Sequence, residues 1–284
     1  MRAKTLLTVM VFLLLPLTVM AKDNKENLMA EVYAISGMEK QMAQFPMLIQ
    51  LGFDQAVATD GRLQQMPRQV LAEMRDSIKI AFAPEKIKQT ILTQCREKLR
   101  INDLKHVLGW LNSPLGRKFT RLEESASTPE KYKEIQQYAL KLQRNPPLPE
   151  RLNIVQQLDC TVKATETGVE VALRTQAAIA MAAVAALPRE QRPTFDTLVS
   201  AIAQNRAQIE NSVHNQTLVS FLFIYEKVPI EQIQQYVAFA SQPAGVNYHQ
   251  AALAGLKRAL MEGAYNWGEL IFEILKKSKT RIET

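Results

Sequence analysis

The chain holds only two cysteines and ten glycines in 284 residues, and no stretch alternates apolar and polar side chains between paired turn signals. Without that alternation, strands joined by tight turns are not expected. Cys95 and Cys160, together with His106, His214 and His249, fall short of the four soft ligands that a structural zinc site takes, so no metal is expected. HExxH, phosphate-cradling loops and dinucleotide glycines are missing too, which leaves no expected cofactor. The Gly-x-Ser-x-Gly elbow of a serine hydrolase is also absent.

The chain begins MRAKTLLTVMVFLLLPLTVMAKDN, with Arg2 and Lys4 ahead of an apolar run from Leu6 to Met20, then Ala21 and the polar Lys22-Asp23-Asn24. That is the order of a secretory signal peptide over residues 1–21, with cleavage expected after Ala21. An uncleaved anchor is the weaker alternative, because Pro16 interrupts the run and crossing a bilayer takes ~20 apolar residues. No transmembrane span is expected in the mature chain. In an exported protein the even cysteine count favours a disulfide between Cys95 and Cys160, worth ~4 kcal/mol, with two buried thiols that never meet as the alternative.

The formal net charge is +7, and the excess sits in the first half: residues 22–149 carry 20 basic against 15 acidic side chains, residues 150–284 carry 13 against 13. Such an excess spread along helices is a solvated face. The basic residues are not clustered among aromatics, so no nucleic-acid partner is expected. Lys276-Lys277-Ser278-Lys279-Thr280-Arg281 forms a short basic C-terminal tail.

Leu, Ala, Gln, Glu, Lys and Arg dominate, and apolar residues recur at three and four, as in Ile80, Ile87, Ile91, Cys95 and Leu99, and again in Leu104, Val107, Leu108 and Leu111. The pattern predicts an all-α fold. Ser113-Pro114 and Thr128-Pro129 each supply a capping hydroxyl followed by a ring that needs no N–H donor. Asn145-Pro146-Pro147-Leu148-Pro149 reads as a linker, and Ala177–Leu187, apolar on every side, as a helix surrounded by other helices.

Moving Pro114 onto Pro243, a shift of 129 residues, brings Leu104 onto Ile233, Val107 onto Tyr236, Trp110 onto Phe239, Gly116 onto Gly245 and Phe119 onto Tyr248. Upstream, Gly37-Met38-Glu39 meets Gly168-Val169-Glu170 at a shift of 131. Two related multi-helix units, residues 22–144 and 150–284, joined by the Pro-rich linker 145–149, are therefore expected as a tandem helical repeat. In each, Trp110, Ser113, Pro114 and Gly116, or Phe239, Pro243 and Gly245, form a helix–corner–helix element.

The segment Leu104–Phe119, with its Trp110-Leu-Asn-Ser-Pro-Leu-Gly-Arg core, resembles the signature of domain-of-unknown-function family 2059, exported bacterial helical proteins. Gly109-Trp110 stands where that family has two aromatics, and Gln242 replaces serine in the second copy. The resemblance implies a periplasmic location in a Gram-negative envelope and no particular chemistry.

Asp103, His106 and Ser113 are the ingredients of a nucleophilic site, although an exposed helix histidine beside an N-terminal aspartate explains the same residues. Glu123 and Glu124, being adjacent, point to different sides of a helix and cannot form a carboxylate dyad. His249 has no partner that spacing recommends, and Glu39 and Glu170 read as groups near helix contacts. Met29, Met38, Met42 and Met47 lie among Val32, Tyr33, Ile35, Phe45 and Leu48; methionine-lined grooves suit apolar partners of varied shape, making Met38, Met42, Phe45 and Met47 the candidate binding residues. The expected function is a soluble periplasmic binding or interaction module without a catalytic site, taking an apolar peptide, a lipid or an envelope protein. The alternatives are an envelope hydrolase using Asp103, His106 and Ser113, or a purely structural role.

Overall fold

A computed structural model describes residues 17–283 apart from 185, 186 and 188, and among them no strand occurs. The expected leader lies, up to residue 16, outside the described residues, as do two alanines at the end of the apolar segment. The helices are α1 (Leu17–Ile35), α2 (Met38–Ala43), α3 (Phe45–Thr59), α4 (Gly61–Gln64), α5 (Arg68–Ala81), α6 (Pro84–Lys98), α7 (Ile101–Asn112), α8 (Pro114–Ala126) and α9 (Pro129–Arg144). After residues 145–148 follow α10 (Pro149–Val162), α11 (Ala164–Val184), α12 (Phe195–Ile202), α13 (Arg206–Ile224), α14 (Ile230–Ala240) and α15 (Pro243–Glu283). No described helix is long and apolar enough to cross a membrane.

Helix starts follow the sequence signals. Ser113 Oγ accepts from the Gly116 N–H at 2.9 Å and Pro114 opens α8. Pro149 belongs to α10 rather than to the linker, because a first helical position has no use for the missing N–H.

The same packing recurs in both halves. Helix α1 lies along α7 and α6 as α10 lies along α14 and α13, and α3 meets α5 as α11 meets α12. Both first helices end in a left-handed residue, Gly37 (φ 79°) and Lys163 (φ 57°). The upstream register therefore joins Gly37 to Lys163, and not to Gly168, which lies inside α11. A lysine bears this conformation because the Asp159 carboxylate accepts from both the N–H and the hydroxyl of Thr165 at 2.7 Å, tying the turn down.

The two corners share one close approach. A Cβ on Gly116 would collide with the Trp110 carbonyl oxygen, and one on Gly245 would come within 2.6 Å of the Phe239 carbonyl oxygen. Both positions need glycine for the next helix to leave so close to the last turn. The corners also face each other: Trp110 stacks on Phe239, its own counterpart, with ring centres 4.7 Å apart and planes 7° from parallel.

Beyond its corner, α15 departs from α8. It runs 41 residues, about 60 Å at 1.5 Å per residue, along α5, α6 and α7 of the first half and α11 of the second. Trp267, fully buried, donates its indole N–H to the Met74 carbonyl (3.1 Å) and the Ser77 hydroxyl (3.0 Å), edge-on to Phe53 and Phe82. One core thus mixes residues of both halves, from Met29 to Leu111 with Ala177, Ala178, Phe195 and Ile271. A second core gathers Val155, Leu158, Leu222, Tyr225 and Ile233 of the second half around Phe119 of the first. Ala177, Ala178 and Ala182 are buried, but Ile179, Ala180 and Val184 are only partly so and Leu187 is exposed, so the segment is covered on one side and not all round.

The expected disulfide is not formed. Cys95 is buried on α6 and Cys160 is exposed on α10, so the two thiols point into different environments and both are free. Burial pushes the Cys95 thiol up to about 11, leaving it an inert apolar side chain.

Replacing Gly116 or Gly245 by alanine is expected to lower stability by about 1–3 kcal/mol through overpacking. Thermal melts check this, with Gly109→Ala on the exposed face of α7, where no neighbouring atom lies within 4 Å of a Cβ, expected instead to stabilise by about 0.5–1 kcal/mol through helix propensity.

Candidate functional site

Where the two corners meet they enclose a cavity of about 200 Å³. Its walls are Met38 and Met42 of α2, Trp110 of α7, Phe119, Thr120 and Glu123 of α8, Tyr236 and Phe239 of α14, and Tyr248, His249 and Leu253 of α15, with Val162 and Thr167 at the α10–α11 turn. α8 and the start of α15, the helices that follow the two corners, thus both contribute side chains to one space.

Glu123 is its main polar group. The Tyr225 hydroxyl donates to Glu123 Oε1 at 2.7 Å, and the Tyr236 hydroxyl is bonded to the same carboxyl. Burial pushes the Glu123 carboxyl up to about 7; the two tyrosine hydrogen bonds pull the other way, and the nearby Glu124 charge adds a smaller push upward. Burial likewise raises Tyr225 and Tyr236 well above the usual phenol range, and Tyr248, hydrogen-bonded to Ser36, to about 12. At neutral pH, then, the tyrosines are hydroxyl donors and Glu123 is poised to give or take a proton.

His249 lies at the opposite extreme. Burial lowers its imidazole to about 4, so the ring is neutral, and its Nε2 is buried with no hydrogen-bond partner. A buried, unpaired ring nitrogen costs about 1–3 kcal/mol, which a bound molecule offering a polar group would relieve.

A wider groove of about 650 Å³ runs past Asp159, Cys160, Arg206 and His214. Its buried carboxylate, Asp159, is satisfied: it holds the Lys163 turn, and His214 Nδ1 lies 3.2 Å from Asp159 Oδ2. It is the corner cavity that keeps an unsatisfied group.

Each member of the alternative nucleophilic trio has another partner. The Ser113 hydroxyl caps α8, exposed His106 turns its Nδ1 to the Asn102 carbonyl at 2.9 Å, and the Asp103 carboxylate accepts from the Arg100 N–H at 3.0 Å. Of the methionine stripe, Met38 and Met42 reach the cavity, Phe45 is buried in the shared core and Met47 is exposed on α3. Glu39 is an exposed surface group near Lys88, whereas Glu170 is buried among Lys257, Arg206 and Arg174. Burial alone would raise the Glu170 carboxyl, and the three cations together hold it below the usual range.

No protein-family model, curated protein or solved structure matches this chain. The likeness to domain-of-unknown-function family 2059 therefore rests on the corner motif alone.

Spacing did not single out Glu123, Tyr225, Tyr236 and His249, which come from four separate places in the chain. One signal was present: the repeat register that sets Trp110 on Phe239 also sets Phe119 on Tyr248, one residue before His249.

Raising the Glu123 carboxyl from 4.5 in the unfolded chain to about 7 means that the folded state binds the proton more tightly. Its contribution is thus full below pH 4.5 and lost as pH rises through 7, by up to about 3 kcal/mol. His249, lowered from 6.5 to about 4, acts oppositely, costing stability as pH falls below 6.5. The difference between wild type and Glu123→Gln isolates the first effect: the variant's melting temperature is expected to gain on wild type steadily from pH 5 to pH 8. Parallel curves would mean that Glu123 titrates as an ordinary carboxylate.

Proposed function

We propose that this chain is an exported, periplasmic binding protein whose corner cavity takes a small, partly apolar ligand. The observation that carries the reading is the buried, unpartnered Nε2 of His249 in a cavity walled mainly by aromatic, methionine and aliphatic side chains. Binding sites of this kind are mostly apolar walls with a few placed polar groups. The volume, about 200 Å³, is below the ~300–1,000 Å³ of sites for drug-sized molecules. It suits a small molecule, or the end of a larger apolar partner such as one peptide side chain, rather than a whole peptide or lipid. Export is supported by the basic, apolar and small-residue order of residues 1–21.

Trp110 lines the cavity and Trp267 is sealed in the core away from it, so Trp110 fluorescence reports occupancy. A panel of small amphiphilic compounds is expected to change that fluorescence, and Ala252→Phe, which adds a ring at a residue of α15 that also lines the cavity, to abolish the change while the protein still melts cooperatively. If no compound perturbs Trp110 and native mass spectrometry finds no adduct on protein taken from its own host, the cavity is a packing defect. Export has its own check: protein from the envelope fraction should begin at Lys22, and a chain retained in the cytoplasm with residues 1–21 intact would refute it.

A further inference from the structure

Resting on that reading, the charges around the cavity narrow its ligand. No lysine or arginine lines it; its ionisable members are Glu123, Tyr236, Tyr248 and His249. From α8, Glu124, its side chain 19 % exposed, is neutralised by Lys40 of α2 at 2.6 Å. Lys118, on the same helix, reaches Gln232 at 2.7 Å, and Glu39 of α2 lies out beside Lys88. Tyr225, Tyr236, Tyr248 and His249, from the end of α13, from α14 and from α15, present only neutral groups at neutral pH. Glu123 is the one cavity-lining carboxyl. It is bonded to hydroxyls, and no cationic side chain pairs with it among the described residues.

A half-buried carboxylate without a countercharge still loses much of its hydration, and two phenol donors offset that only in part. Beside it stand the rings of Trp110, Phe119, Tyr236, Phe239 and Tyr248. Aromatic walls and a lone carboxylate together attract cations and disfavour anions.

We propose that the cavity binds a small organic cation, an alkylammonium whose charge is countered by Glu123, whose alkyl groups lie against the aromatic walls, and whose short polar arm satisfies His249 Nε2. Binding such a cation favours the ionised carboxyl, so the complex releases a proton on forming near neutral pH. A hydroxyl suits the arm, since it donates or accepts as the imidazole tautomer requires.

Three nearly isosteric probes separate charge from shape: choline, the neutral 3,3-dimethylbutan-1-ol and the anionic 3,3-dimethylbutanoate. Titrations of full-length mature protein, read by Trp110 fluorescence and by calorimetry, are expected to show choline binding at least about tenfold more tightly than the alcohol, with the acid weakest. Choline affinity should rise from pH 6 to pH 8, and Glu123→Gln should remove both the preference and the pH dependence. The surface control Glu39→Gln should change neither. His249→Phe should weaken choline and the alcohol together, while tetramethylammonium, which lacks the arm, should be indifferent to it. Equal or tighter binding of the alcohol or the acid, or a preference for choline that survives Glu123→Gln, overturns the cation assignment but leaves the cavity a binding site. Failure of all three probes also overturns it, and the wider compound panel with Ala252→Phe then decides separately whether the cavity binds anything.

Discussion

The contact between Trp110 and Phe239 is what the remaining architecture is arranged around. Each ring sits on the last turn of a helix, just before a corner whose glycine lets the following helix start against the preceding carbonyl. With a side chain at either glycine, the next helix would have to swing outward and its ring would lose its partner. The stack is close and nearly parallel, and it brings Tyr236 to 5.5 Å from Trp110 and to 4.8 Å from Phe119. A repeated element has thus been joined to its own copy, and the cavity is the space that two helices leaving the corners enclose.

The halves do not rest on that contact alone. Helix α15 continues far past the length of its counterpart α8 and spends most of it against the first half, anchored by the Trp267 indole between Met74 and Ser77. In return, α8 carries Phe119 into the core of the second half, where it packs on Tyr225 at 5.3 Å. Each core therefore contains side chains from the other half, so a larger share of apolar surface is buried than two separate bundles of this size would achieve. The cavity lies on the seam of this exchange, where both walls are held by cores that extend into both units.

Adjacent residues on one helix diverge by about 100°, and the pair Glu123-Glu124 shows what that does. Glu124, its side chain 19 % exposed, pairs with Lys40, while Glu123 turns to two tyrosine hydroxyls and is lifted to about 7. That the two could not form a dyad was readable from their adjacency; which of them would be buried was not, because Tyr225 and Tyr236 lie more than a hundred residues further along. His249 was likewise visible as an isolated histidine, and only its place in the cavity wall makes its ring nitrogen a buried, unsatisfied group. The methionine stripe was partly readable: Met38 and Met42 reach the cavity, but Met47 follows the break between α2 and α3 and turns to the surface.

Local rules carried the sequence reading a long way. Apolar spacing of three and four, capping hydroxyls before prolines and the repeated Pro-x-Gly element specify helices, their starts and the corner pair, because each depends on interactions within about one turn of chain. The pairing of cysteines, the register of Gly37 with Lys163 and the burial of Glu123 depend on which helix faces are brought together across the chain. Those were decided by tertiary packing, through the closeness that glycine permits at two corners and the long reach of α15. The sequence alone thus determined an all-helical chain with a duplicated corner, and the tertiary structure decided that the two corners close on each other around a carboxyl and an unpaired imidazole.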